Sequence, residues 1–170
     1  MSFADVTEAL WCYDAVTYVY HHGLMQGYGD NEFYPDGTVT RQQVWMILAR
    51  MSGADPKSMT AARLWAMETG ISDGTDPTAY VTRQQFVTML WRYAKDMGWD
   101  VSVGEDTNIL SYNDAFSVAE YAIPAMQWAC GEGIIAGKTS ANGMILAPKS
   151  NATRGQLATI MMRFCENIMK

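Results

Sequence analysis

One short pattern recurs three times at fixed internal spacing, and it restricts this chain to a repeat architecture. On the pairs Thr40-Arg41, Thr82-Arg83 and Thr153-Arg154, proline falls six residues before each arginine (Pro35, Pro77, Pro148). A small apolar residue falls two before it (Val39, Val81, Ala152). Downstream, glutamine stands at plus two (Gln43, Gln85, Gln156), apolar residues at plus three, six and seven, and arginine at plus nine (Arg50, Arg92, Arg163). Upstream runs Gly-x-x-x-Gly, as Gly23/Gly27, Gly70/Gly74 and Gly133/Gly137, with an aromatic five residues before the first glycine (Tyr18, Trp65, Trp128). Agreement at so many offsets defines a repeated supersecondary unit. The loops between second glycine and proline vary in length, as repeats do on an exposed face.

Each copy reads as helix, loop, helix, which makes the fold class all-α. The first helix stops at the glycine, a natural C-cap, and the second starts at the threonine, where Thr-x-x-Gln is a capping box. Apolar residues at plus three, six and seven give the second helix a core stripe. The pattern predicts helices over 12–22, 40–52, 59–69, 82–97, 118–131 and 153–168. The copies are expected at 1–53, 54–100 and 101–170, together one compact domain, with 96–111 a linker. At 170 residues and 49% hydrophobic content, the chain can bury a core shared between copies.

Charge removes several function classes. Only 12 lysines and arginines, and a net charge of −6, argue against a nucleic-acid partner, which calls for a concentrated basic face. No stretch approaches the roughly 20 apolar residues that span a bilayer, so no membrane insertion is expected, and Met1 to Asp5 is not the basic start of a secretory signal. Cys12, Cys130 and Cys165 form no Cys-x-x-Cys pair; they are either buried thiols or include a Cys130–Cys165 bridge. His21 and His22 lack partners at metal spacing and read as helix-end cations or solvated side chains. No nucleophile-base set or phosphate loop is visible, so neither enzyme activity nor a cofactor or metal is expected.

Some recurring residues have a helix-physics explanation and some do not. The glutamines are capping-box partners, and Arg50, Arg92 and Arg163 read as cations late in their helices, favoured by the macrodipole. Arg41, Arg83 and Arg154 sit instead at helix starts, where a cation is disfavoured by a few tenths of a kcal/mol to about 1. Free helix-start amides attract anions and a guanidinium adds a planar fork, so these arginines point to an anionic ligand group. The competing explanation is a salt bridge, to Asp30 or Asp36 or to an acid of the neighbouring copy. Trp11, Tyr28, Phe33, Tyr34, Trp65 and Trp128 could stack on sugar faces or belong to the core, and Gly27, Gly74 and Gly137 let a ligand approach the backbone.

The ordered set Phe3-x-Asp5, Trp11, Tyr13-Asp14-Ala15-Val16, Gly23-Leu24-Met25-x-Gly27-Tyr28-Gly29-Asp30, Phe33-x-Pro35 and Val39-Thr40-Arg41 resembles a complete S-layer homology motif. Copy two resembles it in Gly70-Ile71-Ser72-Asp73-Gly74-Thr75 and Val81-Thr82-Arg83, and copy three in Tyr112-x-Asp114, Gly133-Ile134-Ile135-x-Gly137 and Ala152-Thr153-Arg154. The resemblance implies a pseudo-threefold bundle of three helix-loop-helix repeats on the outside of a bacterial cell. Grooves between copies would bind secondary cell-wall polysaccharide, often through a pyruvylated sugar. It carries a ligand role to Arg41, Arg83 and Arg154, with Trp11, Gly27, Tyr28, Asp30, Gly74 and Gly137 completing the candidate set. The sequence departs from the family in placing Gln where its Thr-Arg-Ala-Glu motif has Glu. Copy two lacks the Phe-x-Asp opening, and copy three has an extended, poorly matching loop from Lys138 to Leu146. Copy one is the strongest candidate on sequence. The expected function is a non-catalytic wall-anchoring module. The alternative is an interaction or surface-assembly module on the same repeat, binding itself or other surface proteins.

Overall fold

The computed structural model describes residues 3–103, 109–141 and 143–169, and it is mostly helical. Six α-helices carry the chain: α1 (Tyr13–His21), α2 (Arg41–Met51), α3 (Met59–Glu68), α4 (Arg83–Asp96), α5 (Ile123–Gly131) and α6 (Arg154–Asn167). Their ends are chemically specified. Thr40, Thr82 and Thr153 each accept from the N3 amide while Gln43, Gln85 and Gln156 reach back to the cap amide, three complete capping boxes. Gly23, Gly70 and Gly133 follow α1, α3 and α5 at φ of +68°, +76° and +68°, the left-handed step that ends a helix in a Schellman turn. The next residues, Leu24, Ile71 and Ile134, are buried and donate back to Val19, Ala66 and Ala129.

Two expectations shift in the third unit. The helix expected from 118 begins at Ile123, after short 3-10 turns at Ala115–Ser117 and Glu120–Ala122, and Pro124 lies in its first turn, where its missing amide is harmless. The poorly matching loop contains an antiparallel hairpin, β1 (Lys138–Ser140) with β2 (Gly143–Ile145). The expected linker has a 3-10 turn at Ile109–Ser111, while Trp99 and Val101 pack on the core; its residues 104–108 lie outside the described residues.

No unit packs mainly on itself. The first helix of each unit lies against the second helix of another: α3 on α2, α5 on α4, and α1 on α6. The helix-start amides follow the same direction. Arg41 and Gln42 donate to the carbonyls of Ala79 and Pro77 at 3.0 and 2.9 Å, and Arg83 and Gln84 to those of Ser150 and Pro148, both at 2.9 Å. Arg154 and Gly155 close the circuit on Gly37 and Pro35 at 2.8 and 2.7 Å. Val39, Val81 and Ala152 are buried beside these strand-like contacts.

The loops are held from within their own units as well. Asp5 accepts from the amides of Phe33 and Tyr34 (2.9 and 2.7 Å), and Asp114 accepts from those of Leu146 and Ala147 (2.7 and 2.9 Å). That is the work of the Phe/Tyr-x-Asp opening. Its aromatic ring packs where Gly27 and Gly137 lack a side chain: a Cβ there would overlap Phe3 or Tyr112.

The three cysteines are free thiols. Burial raises all three, Cys130 to about 11; Cys130 faces Tyr112 and Cys165 faces Tyr18, so the bridge considered from sequence is not formed. A thiol count on the unfolded chain without reductant is expected to give three, whereas a bridge would leave one. Asp114→Ala strands two amides and is expected to cost about 2 kcal/mol, a Tm lower by about 4–8 °C for a chain of this size. Thermal melts should show this loss, with the exposed Asp55→Ala as an unaffected control.

Candidate functional site

The arginines at the helix starts do not meet free amides. The first two amides of α2, α4 and α6 donate to another unit's loop, and the third donates to the capping threonine. Six carbonyls at the three helix starts therefore offset the positive end of each dipole, and the cation penalty is reduced. Each guanidinium then reaches along the same route. Arg41, Arg83 and Arg154 donate through Nε to the carbonyls of Thr75, Leu146 and Phe33 at 2.8, 3.0 and 2.7 Å, each eight residues before the next unit's own arginine.

This reach places each arginine at the edge of a groove built by all three units. The Arg83 groove, about 380 Å³, is lined by the Ile135–Gly137 loop, by Gln156, Thr159 and Arg163 of α6, and by Trp11. The Arg154 groove, about 150 Å³, has Leu24 to Gln26, Gln43 and Arg50 of α2, and Met59. The Arg41 groove, about 290 Å³, has Ser72 and Asp73, Gln85 and Arg92 of α4, and Tyr121. The recipe is common: one helix-start arginine, the loop after the next unit's first helix, that unit's capping glutamine and plus-nine arginine, and a residue from the start of a first helix.

The contents differ. Arg83 is 3% exposed, and among the described residues its guanidinium makes one hydrogen bond, through Nε, with no acceptor for its terminal nitrogens. Burial pulls its pKa down, with Cys130 and Asp114 opposing weakly. Arg154 is better satisfied: Nη2 donates to the Gln26 carbonyl at 2.6 Å, and its Cζ lies 4.9 and 4.4 Å from the ring centres of Tyr28 and Phe33. Arg41 forms an ion pair with Asp73 at 3.2 Å and also donates to Ser72 Oγ at 3.2 Å. Of the alternatives weighed on sequence, an acid of the neighbouring unit is what Arg41 finds.

The candidate residues do not all converge. Trp11, Arg83 and Gly137 share one groove, while Arg41 and Arg154 stand in the other two. Tyr28 reaches Arg154 but is not among the groove-lining residues, and Asp30 is tied into its own loop by the Glu32 amide and the Tyr34 hydroxyl. Gly27 and Gly74 are packing positions against Phe3 and Met67. Trp128 is a core residue, and Trp65 is partly buried against the core.

Several groove residues had structural explanations on sequence. Gln43, Gln85 and Gln156 complete the caps and also line the grooves. Only Arg50 lies in the last turn of its helix; Arg92 and Arg163 sit earlier and donate to the carbonyls of Ile71 and Ile134. The recurrence at plus nine was the available signal, and macrodipole reasoning obscured it. Gly155, where the other units have Gln42 and Gln84, leaves room for Trp11: a Cβ there would lie 3.1 Å from its ring.

The S-layer homology domain family matches residues 2–44 and 111–158. The stretch between them holds the second unit, which lacks the aspartate opening. The chain is also similar to an endoglucanase from Bacillus sp. (strain KSM-635), 27% identical over 175 residues that span 94% of this chain and 18% of that enzyme. No helix among the described residues is long and apolar enough to cross a membrane. With the family matching more than half of its length, the chain belongs to the S-layer homology domain family, whose members are cell-wall anchoring modules.

Proposed function

We propose that the chain is a non-catalytic anchoring module that binds an anionic, pyruvylated secondary cell-wall polysaccharide on the bacterial surface, in grooves between its repeats. The repeats are 1–53, 54–100 and 101–170, and they form one domain arranged as a pseudo-threefold bundle. The circuit of helix-start bonds, each unit donating to the next and the third to the first, supports that arrangement.

The observation that carries the function is Arg83. A guanidinium 3% exposed with one hydrogen bond among the described residues is an under-compensated buried charge, and it borders a cavity whose described lining includes Arg163 and no acid. A carboxylate on a sugar supplies the missing acceptor. Trp11, 60% exposed at the rim, offers a face for the sugar ring. The Arg154 groove, narrow and rich in methionine, contributes less. Several weak sites on one repeating polymer raise residence through effective concentration.

The glucan chemistry named for the endoglucanase is not carried to this chain, which spans 18% of it. Exposed Phe116, 94% accessible, favours the alternative reading, an interaction or surface-assembly module on the same repeat fold.

Pull-down on bacterial wall sacculi, before and after chemical removal of the non-peptidoglycan polymer, separates the two. Binding is expected to need the polymer and to weaken about tenfold or more in Arg83→Gln and in Arg163→Gln, the loss of a charge-assisted contact. Binding that survives both polymer removal and both substitutions in folded protein would overturn the proposal. Concentration-dependent self-association without wall binding would establish the assembly surface.

A further inference from the structure

We infer that Asp73 acts as a built-in carboxylate ligand that occupies the Arg41 groove and keeps it from binding the polymer's acidic groups. This inference rests on the proposed anionic ligand. The three loops after the first helices align without a gap, and the position three residues past the glycine is Gln26, Asp73 or Ala136. Among the described residues, only the Arg41 groove has an acid in its lining.

The placement of that acid is that of a ligand. Asp73 Oδ1 accepts from Arg41 Nη2 at 3.2 Å, from the Thr75 amide at 3.0 Å and from the Thr75 hydroxyl at 2.7 Å. Donors from Thr75 first, then the charges of Arg41 and Arg92, hold its pKa below the ordinary carboxylate range, so it is ionised at neutral pH. An incoming carboxylate must displace it, giving up three hydrogen bonds, or share the groove with a like charge. An intramolecular group competes at high effective concentration, so an external acid binds this groove more weakly than it would without Asp73.

Asp73 also has a fold role that explains why it is there. Asp5 and Asp114 hold the first and third loops from a distance, accepting from the amides of Phe33 and Leu146. Thr75 is the equivalent position of the second unit, which has no such opening, and Asp73 caps its amide instead. The local substitute for the missing aspartate puts its charge beside Arg41. A cap alone needs an oxygen acceptor and not a charge, and this separates the two roles.

The test uses the full chain and a methyl glycoside of a pyruvylated hexose, titrated by calorimetry. The starting point is Arg163→Gln, which weakens the Arg83 groove without touching Asp73. Adding Asp73→Asn, which keeps the amide acceptor and removes the charge, is expected to restore affinity by about threefold or more. Adding Arg92→Gln to that pair should abolish the gain. Asp73→Ala, which copies Ala136, serves as the second variant and should behave as Asp73→Asn does. No gain from either variant, or a gain from Asp73→Ala alone, overturns the inference and leaves wall binding intact. Wild-type protein that binds neither the glycoside nor wall polymer overturns the proposed function, and this inference with it.

Discussion

The rest of the structure depends on where three helices find acceptors for their first amides. A helix start leaves four orphan donors, and one capping threonine satisfies only one of them. Here the first two amides of α2, α4 and α6 are taken by loop carbonyls of another unit, at the residues four and six before that unit's arginine. Each unit thus completes its neighbour and is completed by the other. The helix packing follows, since α1, α3 and α5 lie against second helices of different units. Arginine at a helix start ceases to be an anomaly. The neighbour's carbonyls offset the dipole, and the side chain extends the same contact one step further, to the carbonyl of Thr75, Leu146 or Phe33.

The grooves arise from that circuit. An arginine that crosses into the next unit with Nε turns its remaining nitrogens toward the space between units, where the plus-nine arginine already stands. One geometry then gives three electrostatically different sites. Arg83 keeps donors without an acceptor among the described residues, Arg154 spends its donors on Gln26 and Phe33, and Arg41 meets Asp73. Small differences decide this. Gly155 in place of glutamine admits Trp11 to one groove, whereas Gln84, at the same position of the second unit, accepts from the amide of Ala119.

Much of this was legible in the sequence, for physical reasons. Capping boxes, glycine stops and the apolar stripe are local signals, and the helices they mark begin and end within a residue or two of expectation except at α5, where Pro124 and the 3-10 turns delay the start. The three arginines stood out because local physics disfavoured them. Their partners were not legible, because a carbonyl leaves no mark in a sequence and the contact joins residues 34, 63 and 121 positions apart. For the same reason the helix-start amides looked free, and copy one looked the strongest site. Its motif is the most complete, yet its arginine is the one paired with Asp73, since each groove mixes one unit's arginine with another unit's loop.

The central claim is that polymer binds at the buried arginine, Arg83, whose groove offers it no acid among the described residues. It is tested most directly by following the side-chain N–H resonances of Trp11 and of the arginine Nε groups as purified wall polysaccharide is added to isotopically labelled protein. Shifts at Trp11, Arg83 and Arg163 that saturate together, with Arg41 unmoved, are the predicted result. Saturable binding that leaves those three resonances in place would contradict it.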